Sequence, residues 1–131
     1  MQSDWQSLRG SETVLLVEDE DSLRDVVVRL LTDMGYRVLS ATNGNEALTL
    51  AQNYPGIINL LVADVVMPEM SGPEAAEKIL QSRPGVPVIF VSGFPKGKLE
   101  NFFEHHAGTI LVEKPFTIKT LTMKMREVLD N

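Results

Sequence analysis

Cysteine is missing altogether from the 131 residues. That excludes disulfides and thiolate metal sites, and it fits a reducing compartment such as the cytoplasm. There is one tryptophan and there are two tyrosines. No apolar run approaches the ~20 residues needed to cross a bilayer. Nothing at the start pairs a basic stretch with an apolar core, so no secretion signal is expected. Excess positive charge is also lacking. The formal net charge is −6, which argues against a broad basic face for nucleic acid. What remains is a mildly acidic chain, 44% hydrophobic, of a size suited to one core.

Residues 1–12 are polar, carry Gly10 and Ser11, and show no period. They are expected to form a tail or an interdomain linker, with the folded domain over 13–131. Trp5 and Leu8 are the large apolar groups in that stretch after Met1; docking on the body is the alternative to disorder. Residues 13–17 then read as a strand buried on both faces. Four acids follow, Glu18, Asp19, Glu20 and Asp21. Next comes an amphipathic helix with Leu23, Val26, Val27, Leu30, Leu31 and Met34 on one face, ended by Gly35.

The pattern repeats. Residues 36–41 predict a strand near a sheet edge. Asn43 caps a helix and Glu46 reaches back, before Tyr54-Pro55-Gly56 breaks it. Residues 57–63 predict a third strand that ends at Asp64. A loop with Pro68, Ser71 and Gly72 follows, and Pro73 opens a third helix. Residues 86–91 predict a fourth strand closed by Ser92-Gly93-Phe94-Pro95. A weakly patterned helix is expected over 96–106, then a strand over 109–112 and Lys114-Pro115-Phe116. The last helix starts at Thr117, with Phe116 packing on Leu121. Five βα units demand right-handed crossovers and a parallel sheet covered on both faces. The flavodoxin-like order 2-1-3-4-5 is the common solution, with its ligand crevice between strands 1 and 3.

In that order Glu18 and Asp19 end the strand beside the one that Asp64 ends. Ser92 and Lys114 end the next two on the same edge. Three carboxylates in one cleft repel unless a cation lies between them. Oxygen ligands without His or Cys suit Mg²⁺. A further lysine and hydroxyl make a site for phosphoryl transfer, with a carboxylate as nucleophile. Each feature has a plainer explanation. Acids favour helix N-termini, Ser-Gly is turn chemistry, and a lysine before proline suits an exposed turn. Their placement at four strand ends of one sheet is what favours a site.

Val17-Glu18-Asp19, Asp64-Val65-Val66-Met67-Pro68 with Ser71-Gly72, Val91-Ser92-Gly93 and Lys114-Pro115-Phe116-Thr117 together resemble the receiver domain of two-component response regulators, the chemotaxis-regulator type of fold. The resemblance runs from about residue 12 to the end. It implies that Asp64 accepts a phosphoryl group from a phosphohistidine on a histidine kinase or phosphotransfer protein. It also implies that Asp19, Asp64 and the backbone carbonyl of Val66 bind Mg²⁺, with Glu18 acting mostly through water. Ser92 and Lys114 would contact the phosphoryl oxygens, and the Lys114-Pro115 bond would be cis. The wording around Asp64 and Ser92 is most similar to receivers of hybrid sensor histidine kinases. A free-standing single-domain regulator is the alternative, and a docking pseudo-receiver is another. The chain itself carries no nucleic-acid or membrane partner in this reading, and it is a monomer or weak dimer.

Two departures from that family's pattern carry expectations. The position three before the lysine, often aromatic in the family, is Leu111. Signalling is therefore expected to run through Ser92, the loop after it and the weak fourth helix. Val66 and Phe94 occupy the positions that tune hydrolysis in the family, and neither side chain can orient an attacking water. Slow self-dephosphorylation is expected. His105 and His106 are expected to be exposed at a helix end rather than to carry phosphate. A phosphohydrolase would want a second carboxylate at Val66, and a flavin-binding protein would want a Ser/Thr-Gly loop where the four acids stand.

Overall fold

The computed structural model describes residues 2–93 and 99–131. Its elements in chain order are α1 (Gln2–Leu8), β1 (Thr13–Val17), α2 (Asp21–Asp33), β2 (Arg37–Ala41), α3 (Gly44–Asn53), β3 (Leu60–Asp64), α4 (Gly72–Ser82), β4 (Val88–Ser92), α5 (Glu100–His105), β5 (Ile110–Glu113) and α6 (Ile118–Leu129). The five strands form one parallel sheet in the order β2-β1-β3-β4-β5. This is the flavodoxin-like arrangement expected from the βα alternation. β1, β3 and β4 are buried at every position, as strands covered on both faces must be. β2 is buried only at Ala41, its other positions being exposed or half-buried, and it lies at the edge.

Two apolar layers sandwich the sheet. Leu15, Ala63, Phe90 and their neighbours pack against α3, α4 and α5 on one face. Leu16, Val62, Val91 and their neighbours pack against α1, α2 and α6 on the other. Odd and even strand positions thus divide between the layers, as the period of two requires.

The helix ends follow from local chemistry. The Asn43 side chain caps α3 by accepting from the Glu46 N–H at 2.8 Å. Glu46 reaches back to the N–H of Thr42, one residue before the cap. Ser71 caps α4, and Thr117 caps α6. At the end of α2, Gly35 takes φ 101°. The N–H groups of Gly35 and Tyr36 return to the carbonyls of Thr32 and Leu31. That pairing needs a left-handed residue, which glycine adopts without strain.

Three expectations change. The third strand begins at Leu60 rather than at 57, because Ile57 is thrown outward (75% exposed) just after the Pro55-Gly56 break. The segment read as a loose tail contains α1, and Leu8 is buried in the sheet's second layer. Burying one leucine and capping its carbonyl with the Tyr36 hydroxyl at 2.8 Å supplies what the aperiodic sequence did not advertise. The fourth-unit helix is short, Glu100–His105; its expected start at Lys96, and the expectation for Phe94, concern residues outside those described.

Candidate active site

The carboxyl ends of β1, β3, β4 and β5 form one edge, and that edge carries the functional side chains. Asp64 is the last residue of β3, paired across the sheet with Val91. Ser92 therefore lies one residue further along β4, and it is buried. The Lys114 N–H donates to the Ser92 carbonyl at 2.8 Å, which fixes where the lysine side chain leaves β5. The Lys114-Pro115 bond is cis.

Lys114 Nζ lies 2.8 Å from Asp64 Oδ2 and 3.1 Å from Glu18 Oε1. Glu18 and Asp64 are buried, whereas Asp19 is exposed. One carboxylate oxygen from each of Glu18, Asp19 and Asp64 lies within 4.8 Å of the others. Beneath them is an apolar floor that includes Val17, Val62, Val91 and Phe116. The other Asp64 oxygen, Oδ1, accepts from the Val66 N–H at 3.3 Å. The second Glu18 oxygen accepts from the Glu20 N–H at 3.0 Å. The Val66 side chain is 44% exposed at the mouth of the site.

Burial pushes the Glu18 carboxyl above the usual carboxylate value; the Glu20 N–H opposes this, the Asp64 charge adds to it, and Lys114 opposes it again. For Lys114, burial works against the charge. Hydrogen bonding and attraction from Asp64, then from Glu18, outweigh it and raise the ammonium above its ordinary value. At neutral pH the lysine is a fixed cation. Among the described residues, three carboxylates face one ammonium, which leaves two negative charges, the charge of one divalent ion. The oxygen-only donor set suits Mg²⁺ over a softer metal, and like charges ~4 Å apart at a protein surface repel by about 4 kcal/mol. The residues present fit such an ion.

The loop after Asp64 is held close. Gly72 N–H donates to the Val65 carbonyl at 2.8 Å. A Cβ at Gly72 would stand 2.1 Å from the Asp64 carbonyl oxygen, so only glycine lets α4 start this near the site. Glu69 has φ 69°, a left-handed conformation that costs a non-glycine residue energy.

Sequence reasoning brought Glu18, Asp19, Asp64 and Lys114 to one place, and they meet. It missed Arg24, which donates to the Glu18 carbonyl at 2.9 Å from α2. Its position one turn into the helix after the acids was the available signal. Of the two histidines, His105 is exposed. His106 is half-buried, paired with Glu77 at 2.7 Å and stacked on Phe102. A groove of about 680 Å³ that includes Leu80, Pro84 and Thr109 lies at the opposite edge of the sheet and contains none of the converging carboxylates.

The profile of the response regulator receiver domain matches residues 14–126. Sensor kinase CckA of Brucella abortus is 40% identical over 123 residues, covering 94% of this chain and 13% of the kinase. Response regulator receiver protein CpdR of the same organism is 31% identical over 116 residues, covering 88% of this chain and 95% of that protein. Among solved structures, the receiver domain of hybrid histidine kinase CckA superposes with a TM-score of 0.77 at 38% identity, covering 89% of this chain and 98% of that one. The chemotaxis protein CheY4 of Vibrio cholerae superposes with a TM-score of 0.82 at 29% identity, covering 92% of this chain and all of that one (100%).

Proposed function

The chain belongs to the response regulator receiver family of two-component signalling, and from that premise we propose that Asp64 is its phosphoryl acceptor. The observation that carries this reading is the contact of Asp64 with Lys114 at 2.8 Å inside a cluster shared with Glu18 and Asp19. A carboxylate oxygen of Asp64 attacks phosphorus in the donor. The P–N bond of the phosphohistidine breaks, its electron pair returns to the imidazole, and an acyl phosphate forms on Asp64. Lys114 stays charged throughout and shifts its hydrogen bond from the carboxylate to a phosphoryl oxygen. The Ser92 hydroxyl, from the next strand end, donates to another.

Asp19, Asp64 and the Val66 backbone carbonyl would hold Mg²⁺ in this reading, and Glu18 would act through water. The ion supplies charge neutralisation at the equatorial oxygens. The donor is a histidine kinase or a phosphotransfer protein, and the setting is the cytoplasm. The domain spans 13–131, preceded by a docked linker. The match to one segment of sensor kinase CckA favours the receiver of a hybrid sensor histidine kinase. The near-complete span of CpdR supports the free-standing regulator as the second reading.

The switched surface is α5. Phe90, two residues before Ser92, packs edge-on against Phe102 of α5 with ring centroids 5.0 Å apart. Leu111 lies opposite Phe90 in β5. A movement at Ser92 therefore has an aromatic contact through which to bias α5. Beryllofluoride, which mimics the acyl phosphate, tests both parts by amide NMR. With Mg²⁺ it should shift Asp64, Val66, Ser92, Lys114 and residues 100–105. No shift at Asp64 contradicts the acceptor assignment, and shifts confined to the strand ends contradict the α5 route.

A further inference from the structure

Four acids in succession, Glu18 to Asp21, repel one another and act to spread the turn that carries them. Arg24 bridges both ends of the run. Its Nη1 donates to the Glu18 backbone carbonyl at 2.9 Å, and its Nη2 donates to Asp21 Oδ1 at 2.7 Å. The arginine side chain is 13% exposed while Asp21 is 82% exposed, so the carbonyl contact is the sheltered one. A planar guanidinium holds two partners in one fixed fork, which a lysine cannot do. The Glu18 carbonyl is thereby kept on the α2 side. The Glu18 carboxylate meanwhile accepts from Glu20 N–H and from Lys114. Asp19 lies between the two residues that Arg24 anchors.

We propose that Arg24 is a positioning residue for the divalent-cation site: it fixes the β1–α2 turn so that Glu18 and Asp19 face Asp64 before the ion arrives. This rests on reading that site as a Mg²⁺ site. Two effects of Arg24 on the ion have opposite signs. Its positive charge opposes cation binding, whereas its fork removes the cost of ordering an acidic turn. Asp21 already pairs with the charge, and the Glu18 contact is to a neutral carbonyl. Positioning therefore outweighs repulsion.

The sign of the mutant effect decides the matter. Mg²⁺ is titrated into the full chain at fixed ionic strength and followed by amide shifts at residues 18–21 and 64–66. Urea unfolding of each protein is run in parallel. Arg24→Ala should weaken Mg²⁺ binding roughly tenfold, in the range for residues that orient metal ligands. Arg24→Lys keeps the charge but not the fork, and should remain several-fold weaker than the unsubstituted protein. Equal or tighter binding by Arg24→Ala overturns the proposal. Should that variant fail to fold, full affinity in Arg24→Lys overturns it and reduced affinity supports it. Absence of Mg²⁺ shifts in the unsubstituted protein overturns the site reading itself, and this inference with it.

Discussion

Lys114 and Asp64, fifty positions apart in the chain, form the closest charged contact of the acidic cluster, 2.8 Å from Nζ to Oδ2. The lysine leans on Glu18 as well. Among the described residues it is the one cation that bonds to both buried carboxylates, and it opposes their mutual repulsion. Titration of the cluster should reveal that repulsion.

Glu18 is the group to test. Burial raises its carboxyl above the usual value near 4.5, and the Asp64 charge contributes. A carboxyl raised on folding binds its proton more tightly in the native state. The stability it contributes is present below about pH 4.5 and is lost as pH rises through the raised value. In Mg²⁺-free buffer Glu18→Gln should therefore be more stable than the unsubstituted protein at pH 7. The gain should vanish below pH 4. Urea denaturation at several pH values checks both the sign and the window.

Val66 sets the expected lifetime of the acyl phosphate. Its side chain stands at the mouth of the site, 44% exposed, and has no group to orient water. Val66→Asn should speed hydrolysis by about tenfold, the rate equivalent of one hydrogen bond worth ~1.4 kcal/mol in the transition state. Loss of phosphoprotein over time in quenched samples measures it. An unchanged lifetime would show that solvent access, not water orientation, limits the reaction.

Arg83 is a structural counterpart far from the chemistry. Its guanidinium donates to the carbonyls of Ala51, Tyr54 and Gly56 at 2.7, 2.6 and 2.7 Å, closing the end of α3. Arg83→Ala leaves those carbonyls to water and should cost roughly 1–3 kcal/mol in stability. Mg²⁺ affinity should not change.

Arg126 ties α1 to α6. It donates to the Arg9 carbonyl and to Glu12, with Asp130 as a further partner. Its hydrogen bond holds the Glu12 carboxyl below the usual value, against the opposing effect of burial. A depressed carboxyl stabilises the fold above its ordinary value near 4.5, and that contribution is lost as pH falls through the lowered one. Arg126→Ala should free α1, cost about 1.5–3 kcal/mol, and shift the emission of Trp5, the lone tryptophan, to the red. Phosphoryl acceptance should be unaffected.

The parts of this molecule that were legible in the sequence are those with a local signal. Val14 to Val17 and Leu60 to Ala63 announce buried parallel strands because every position is apolar. Asn43, Gly35 and Thr117 announce helix ends because capping acts over three or four residues. Once the strands are ordered, the site follows, since Glu18, Asp19, Asp64 and Lys114 each sit at a strand's carboxyl end. Arg83 and Arg126 were not legible. They bond to backbone carbonyls up to 117 residues away, and a carbonyl is the same in every residue. The α1 helix was hidden for a related reason: it is held by Leu8, Tyr36 and Arg126, not by a periodic face of its own.

In the proposed reaction Asp64 accepts a phosphoryl group with the help of a divalent ion. The most direct test is intact mass after incubation with acetyl phosphate, with and without Mg²⁺, on the unsubstituted protein and on Asp64→Ala. One added phosphoryl group is expected, dependent on Mg²⁺ and absent from Asp64→Ala. Addition that persists in Asp64→Ala, or none in the unsubstituted protein even with a phosphohistidine donor, would contradict that reaction.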